Sequence, residues 1–347
     1  MNQYQELHVE DYERVVRCDN KAVGFTTWVA IHNSFRGPAL GGCRILPYES
    51  DGAALTDVLR LSRGMTYKSA LARLPLGGGK SVVRTDLKKV DRELLFEAIG
   101  ECVEQFGGSY IIAEDVNSRL EDMAVARRKT DHVATVGASG NPSPFTAYGV
   151  YCALKASVYH TYGRHDLHGL TVAIQGAGET GGRLAELLYK EKCRLLITDI
   201  NKRNIDRLKK RIDFVYAEPE GIYDADCDIF SPCALGGILN PATIPRLRCS
   251  IIVGSANNQL HSDADGYALY RRGLLYVPDY AANAGGIINI SCEMGQPYDK
   301  NKSLRLTKNI AQTVLELFRR SEETNRPTNV VADALAERRI AGAVVAS

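Results

Sequence analysis

Hydrophobic and polar positions follow two different rhythms along the chain. Up to about residue 135, short β-rich runs are interleaved with long helical ones. AVGFTTWVAI (22–31) is rich in β-branched and aromatic residues, and VVRTD (82–86) and YIIA (110–113) read as buried strands. Between them, Asp51 to Leu74 has helical spacing, with Leu55, Val58, Leu61, Met65 and Ala72 along one side. GASGNPSPF (137–145) concentrates Gly, Ser, Asn and Pro and is the best hinge in the chain. Beyond it Thr146 is placed to cap a helix reaching about Tyr162, and strands then alternate with helices. The strand signals are LTVAIQ (170–175), RLLITD (194–199), DIFSP (228–232), SIIVGS (250–255) and LLYVP (274–278). That alternation predicts a parallel, doubly wound sheet. Leu306, Ile310, Val314 and Leu317 mark a long amphipathic helix, Pro327 stops it, and a last helix is expected from about Thr328 to Ile340. The fold class is α/β, with an N-terminal α/β domain over 1–140 and a Rossmann-type domain over 146–327. The segment 328–347 is expected to pack back on the first domain or the hinge.

Charge and cysteine usage narrow the classes. Lys and Arg number 43 against 41 Asp and Glu, a net charge of +2, which argues against a nucleic-acid binder. The N-terminus lacks the apolar core of a secretory signal, and no window approaches the roughly 18 apolar residues of a membrane span. A cytoplasmic protein without membrane partners is the expectation. The nine cysteines are scattered without a C-x-x-C pair, as in a reduced protein, and His165 and His168 read as a surface turn rather than metal ligands.

The sharpest local motif is Gly176-Ala177-Gly178-Glu179-Thr180-Gly181, followed by Gly182, placed directly after a strand and opening a helix. Its glycines suit a tight turn, close approach of backbone to a pyrophosphate, and helix-on-strand packing. The free N–H groups of a helix start favour phosphate charge. The next strand ends in Asp199, close to the roughly 20-residue offset of a ribose-binding acid. A methyltransferase turn is a rival, but the intact third glycine favours a dinucleotide. Asp199 would repel a 2′-phosphate, so NAD is preferred over NADP, while Lys202 and Arg203 read as solvated helix residues. Glu179 is unexpected, since its charge falls near the pyrophosphate unless it points to solvent.

The first half carries the candidate chemistry. LGGGK (76–80) lacks the first glycine of a phosphate-binding loop, that position being Leu74, so a kinase or ATPase is disfavoured. Three glycines before Lys80 suggest backbone passing close to a ligand. Lys68 falls on the apolar stripe of its helix and should point inward, unless it snorkels to water from the margin of the stripe. Two lysines near one cleft would depress each other's affinity for protons, making a neutral amine accessible. Asp115, at the end of YIIAED, offers a carboxylate at a strand terminus, or else a cap for the helix that starts near Arg119.

GPALGGCR (37–44), MTYK (65–68), LGGGK (76–80), AEDV (113–116), GNPSPFTAYGVY (140–151), CALGG (233–237), GSANNQL (254–260) and PDYAANAGGIIN (278–289) together resemble the Glu/Leu/Phe/Val family of amino-acid dehydrogenases, with the leucine branch nearest. The resemblance runs in the same order from about residue 20 to the final helix. It implies that the first domain binds substrate, the second binds NAD, and the cleft closes for hydride transfer. It implies Lys80 as catalytic base, Asp115 in proton transfer at the amine, and Lys68 and Asn258 holding the substrate. A side-chain pocket of Leu40, Gly41, Ala113, Thr146, Ile287 and Ile290 follows by the same route. So do Ile200, Ala234, Asn257 and Asn258 beside the dinucleotide. Subunits of the family associate, so a homo-oligomer, dimer or octamer, is implied. The expected reaction is deamination of an apolar L-amino acid to its 2-oxo acid and ammonia, with Leu, Val or Ile preferred. An aromatic substrate (Phe or Trp) and a non-catalytic NAD-binding paralogue are the alternatives. Cys43 after GG, Glu179 in the loop and Phe145 before Thr146 depart from the family's usual residues.

Overall fold

The computed structural model describes residues 1–134, 140–294 and 297–342. They fall into two compact units: one holds the described residues of 1–140, 293–298 and 336–347, the other those of 141–292 and 299–335. The expected hinge residues 137–139 lie outside the described residues.

The first unit is built on strands β1 (Gln3–Leu7), β2 (Arg14–Asn20), β3 (Phe25–Asn33), β4 (Ala39–Leu46), β5 (Gly77–Arg84) and β6 (Tyr110–Glu114). Their order in the sheet is β1-β2-β3-β5-β4-β6. The pairs from β1 to β5 are antiparallel, whereas β4 is parallel to both β5 and β6. Parallel neighbours need crossovers, which α1 (Asp51–Leu71) and α2 (Arg92–Glu104) supply; α3 (Leu120–Ala126) follows β6. Strand alternation sends Trp28, Ala30 and Val82 to Ala54, Val58 and Leu61 of α1. It sends Val29, Ile31, Cys43, Ile45 and Val83 to the other face, against Leu95, Phe96 and Ile99 of α2 and Met123 of α3.

Helix α1 starts where Ser50 accepts the Ala53 N–H and Asp51 sits in the first turn. Its buried face includes Ala54, Val58, Leu61, Ser62, Thr66, Ser69 and Ala70, while Leu55, Met65, Lys68 and Ala72 are half-buried. The expected stripe is therefore rotated by about one position, because small polar residues line the closest approach. A Cβ on Gly78 would lie 1.9 Å from the Thr66 nitrogen. One on Gly77 would lie 2.2 Å from the Asn33 carbonyl oxygen, and one on Gly79 would lie 2.7 Å from the Tyr110 ring. The glycines before Lys80 thus bring β5 against protein, not against open ligand space as expected.

The second unit begins with α4 (Ser143–Tyr162), four residues earlier than expected, so Thr146 is not a cap but sits in the first turn with its hydroxyl donating to the Pro142 carbonyl at 3.3 Å. There follow β7 (Thr171–Gln175), α5 (Glu179–Lys190), β8 (Arg194–Thr198), α6 (Lys202–Lys209), β9 (Val215–Tyr216), β10 (Ile229–Pro232), β11 (Ile251–Ile252), α7 (Asp263–Arg271) and β12 (Leu275–Tyr276). The sheet is parallel throughout, in the order β12-β11-β10-β7-β8-β9. Strand order reverses beside β7, the switch point at which doubly wound folds bind ligands. Helices α8 (Asp279–Ala282), α9 (Gly285–Ser291), α10 (Lys300–Lys308) and α11 (Ile310–Thr324) complete the unit. The expected long amphipathic helix is thus two helices broken at Asn309.

Helix α12 (Thr328–Ile340) belongs to the first unit from Ala336 onward. There Glu337 accepts the Tyr67 hydroxyl at 2.8 Å, Arg339 donates to the Leu71 carbonyl at 2.6 Å, and Arg36 donates to the Arg339 carbonyl at 2.9 Å. No helix among the described residues is long and apolar enough to cross a membrane.

Candidate active site

Strand register assembles the chemical centre of the first unit. β4 lies between β5 and β6, and pairing of Cys43 with both Ser81 and Glu114 fixes which side chains share a face. Leu40, Gly42, Arg44, Lys80, Val82, Ala113 and Asp115 alternate onto the face covered by α1. Lys80 on β5 and Asp115 just past the end of β6 lie on either side of β4, yet the Lys80 Nζ lies 2.6 Å from Asp115 Oδ2. Gly42 makes that reach possible. A Cβ there would lie 2.7 Å from the Asp115 Cβ and 3.2 Å from the Lys80 Nζ.

Lys80 is 5% exposed, so its charge is held away from bulk water and needs a partner. Burial alone would raise the proton affinity of Asp115, but the charges of Lys80 and Arg44 more than cancel it, and the carboxyl is held below its ordinary range. Asp115 does not cap the next helix. Its own N–H donates to Ser118 Oγ at 2.8 Å, and the capping falls to Asp122, whose carboxylate accepts the Arg119 N–H at 2.7 Å. Cys43, on the opposite face, is fully buried, and burial pushes its thiol up to about 12, so it packs as a neutral side chain.

Of the other expected residues, Leu40 and Ala113 share the face of Lys80 and are buried. Gly41 serves packing, since a Cβ on it would lie 1.8 Å from the Gly79 carbonyl oxygen. Lys68 lies half-buried in the last turn of α1, the helix over this face. Sequence reasoning missed Gly42 and Arg44 as site residues. The alternation of GPALGGCR, which puts Leu40, Gly42 and Arg44 on one side of a strand, is the signal that finds them.

In the second unit, the turn after β7 gives its glycines three separate tasks. Gly176 takes a φ of +103°, open to glycine alone among common residues. A Cβ on Gly178 would meet nothing within 4 Å, which leaves room for a ligand at the helix start. A Cβ on Gly181 would lie 2.0 Å from the Gly176 carbonyl oxygen, so only glycine lets α5 pack on its turn. Ala177 and Thr180 complete the turn and first helical residues, and Gly182 is buried below them. Asp199 fixes the turn from the neighbouring strand: its Oδ2 accepts from the Ala177 N–H at 2.8 Å and from Asn204 Nδ2 at 3.1 Å, and its Oδ1 accepts from the Asn201 N–H at 2.7 Å. With about four acceptor sites on a carboxylate, Oδ1 keeps capacity for a ribose hydroxyl. Ile200 beside it is 86% exposed, an apolar face available to an adenine ring.

Glu179 pairs with Arg183 at 3.3 Å and Arg207 at 3.4 Å, so its charge is partly offset beside the turn. Ala234 is exposed and adjoins Gly176, where an added Cβ would lie 2.9 Å from its own. Asn257 and Asn258 are exposed on the loop after β11, and Asn258, at φ +53°, donates its N–H to Asp279 at 2.5 Å. Thr146 meets the start of α9, whose Gly286 would place a Cβ 2.7 Å from its hydroxyl. That helix carries Ile287, buried, and Ile290, half-buried. The residues present therefore fit a dinucleotide.

Comparison with known proteins agrees over both units. The model of the Glu/Leu/Phe/Val dehydrogenase dimerisation domain matches residues 7–132, and that of the glutamate/leucine/phenylalanine/valine dehydrogenases matches 194–346. The leucine dehydrogenase of Thermoactinomyces intermedius is 42% identical over 98% of this chain and 94% of its own length. The L-tryptophan dehydrogenase of Nostoc punctiforme is 41% identical over 97% of this chain and 96% of its own. A crystal structure of L-tryptophan dehydrogenase from that organism superposes with a TM-score of 0.83, at 40% identity, covering 96% of each chain.

Proposed function

Because this chain belongs to the Glu/Leu/Phe/Val dehydrogenase family, and is an amino-acid dehydrogenase working with a nicotinamide dinucleotide, we propose that it deaminates a branched-chain L-amino acid reversibly to its 2-oxo acid and ammonia, with NAD as cofactor. The observation that carries the reading is the buried Lys80–Asp115 pair at 2.6 Å, facing the same side of the sheet as Leu40 and Ala113. Support for NAD comes from Asp199, whose negative charge disfavours a 2′-phosphate.

The proton steps follow from the pair. A substrate amino group arrives as an ammonium, and Asp115, an anion beside two cations, takes one of its protons. That removes the counter-ion of Lys80, which releases a proton to solvent. The neutral amine then expels the Cα hydride and becomes an iminium. When bound, the dinucleotide accepts that hydride at its nicotinamide ring. Lys80, now neutral, takes a proton from the water that adds to the iminium carbon. Asp115 returns its proton to nitrogen, the hydroxyl gives its own to solvent as the carbonyl forms, and ammonia departs. Lys68 is assigned to the substrate carboxylate, and Asn258 to holding the substrate.

Lys80→Ala is expected to abolish turnover while leaving binding of NADH, followed by its fluorescence, intact; near-normal rates would refute the assignment of the base. None of the residues assigned to the substrate side chain, Leu40, Ala113, Thr146, Ile287 and Ile290, carries a charge that would hold a second carboxylate, which disfavours glutamate. A hydrophobic pocket separates neighbouring side chains by only about 1 to 3 kcal/mol per methylene. The similarity to an L-tryptophan dehydrogenase at 41% identity favours an aromatic substrate as the second reading. A panel of L-amino acids assayed by NADH formation separates the two, and Phe or Trp outpacing Leu would overturn the branched-chain preference.

A further inference from the structure

Arg44 takes no part in the steps above, yet it is tied to them more directly than any uncharged neighbour. It lies on β4 between the strand that carries Lys80 and the one that ends just before Asp115, and its side chain is only 16% exposed. Its Nε reaches Asp115 Oδ2 at 3.3 Å, the same oxygen that Lys80 touches at 2.6 Å. Its other arm, a terminal guanidinium nitrogen, reaches Asp57 Oδ2 on α1 at 3.2 Å, and Tyr48 donates its hydroxyl to that same Asp57 oxygen at 2.5 Å. A planar guanidinium spanning two carboxylates has little rotational freedom left.

We propose that Arg44 is a positioning residue for amino-acid deamination: braced by Asp57 and Tyr48, it clamps Oδ2 of Asp115 and leaves Oδ1 for the substrate nitrogen. This rests on the reading of Lys80 and Asp115 as the proton-handling pair. Both cationic contacts fall on Oδ2. The second, chemical reason is permanence. Lys80 loses its charge during the cycle, whereas a guanidinium does not deprotonate. While Lys80 is neutral, Arg44 still holds a positive charge against Asp115.

The groups around Asp115 set the sign of the test. Lys80 on β5 and Arg44 on β4 lower its proton affinity, and burial opposes them. Glu114 on β6 is a second acid that feels Asp115, and burial raises its own affinity for protons. Asp57 on α1 offsets part of the Arg44 charge. Tyr48, Cys43 and Tyr110 also feel the Asp115 charge, but burial pushes all three upward, so they stay neutral near pH 7. Removing Arg44 therefore raises the pH at which Asp115 becomes an anion.

The experiment is the pH profile of kcat/KM for deamination in wild type, Arg44→Met and Arg44→Lys. In Arg44→Met the acid limb is expected to move up by about one pH unit, with kcat at the optimum down roughly tenfold or more. KM for NAD is expected to hold within about threefold, since no dinucleotide contact is removed. Arg44→Lys keeps the charge but not the fork, so its acid limb stays near that of wild type while kcat falls several-fold. It carries the test should Arg44→Met not fold. An unmoved acid limb in Arg44→Met, or wild-type kcat in Arg44→Lys, overturns the role of Arg44 alone. A wild-type protein without amino-acid-dependent turnover overturns the reading of the pair as well.

Discussion

Adding one methyl group at Gly42 tests the geometry of the centre without touching its chemistry. In Gly42→Ala the new Cβ would start 2.7 Å from the Asp115 Cβ, 2.8 Å from the Glu114 carbonyl oxygen and 3.2 Å from the Lys80 Nζ. Carbon atoms settle at about 3.5 to 4.0 Å, so the Asp115 side chain must retreat by roughly 1 Å. The pair at 2.6 Å would then open beyond hydrogen-bond range. Misplacement of that size costs on the order of 100-fold in rate, or about 2.7 kcal/mol of barrier. Overpacking adds about 1 to 3 kcal/mol of lost stability. Gly64→Ala is the internal control. Gly64 lies in α1 with nothing within 4 Å of an added Cβ, so the helix should gain roughly 0.5 to 1 kcal/mol and kcat should not change. Steady-state kcat, read by NADH formation beside urea unfolding of both variants, makes the comparison. A Gly42→Ala enzyme with wild-type kcat would refute the claim that this glycine lets the two side chains converge.

Three further outcomes follow from the same structure. His32 packs between Tyr12 and Tyr67 and meets Thr66 Oγ1 at 3.0 Å; burial first, then the Arg63 charge, lowers it from 6.5 to about 4. Between those pH values the unfolded chain binds the extra proton, so stability falls as pH drops, by about 1 to 2 kcal/mol at pH 5 after allowing for partial exposure. Urea midpoints at pH 7.5 and 5 should therefore separate more in wild type than in His32→Gln, and equal separations would contradict this. Glu179→Gln should change the Kd for NADH by less than about threefold, because the carboxylate already pairs with half-buried Arg183 and exposed Arg207; a tenfold gain would mean that it faces the phosphates instead. Asp199→Ala, which strips the Ala177 N–H of its acceptor, should weaken NADH binding at least about tenfold and narrow the preference over NADPH, as read by fluorescence titration; unchanged affinities would remove Asp199 from the cofactor site.

How much of this was legible in the sequence depends on whether a feature is local. The turn at Gly176 and the strand ending before Asp199 obey short-range rules, and the structure places the Asp199 carboxylate on the Ala177 N–H. Lys80 and Asp115 were found through their motifs, but their contact was not, because it spans β4 and depends on strand order β5-β4-β6. The glycines at 77–79 were read as an approach to ligand. Their neighbours, Thr66 and Tyr110, lie 12 or more positions away in sequence, beyond the reach of periodicity. The same holds for Arg44, whose partners Asp57 and Asp115 stand 13 and 71 positions along the chain. On α1 the apolar stripe missed the face by about one position, since Ser62, Thr66 and Ser69 are buried by close packing rather than by hydrophobicity. The break at Asn309 was hidden because apolar spacing continues from Leu306 to Ile310 across it.

If this protein makes and breaks a carbon–nitrogen bond at the α-carbon, ammonium must be a co-substrate of the reverse reaction. NADH oxidation is followed with 4-methyl-2-oxopentanoate in the presence and absence of ammonium. Oxidation is expected to depend on ammonium, to saturate with it, and to yield leucine. Reduction of the oxo acid at the same rate without ammonium would contradict it, since hydride would then be reaching a carbonyl and the Lys80–Asp115 pair would be serving a different reaction.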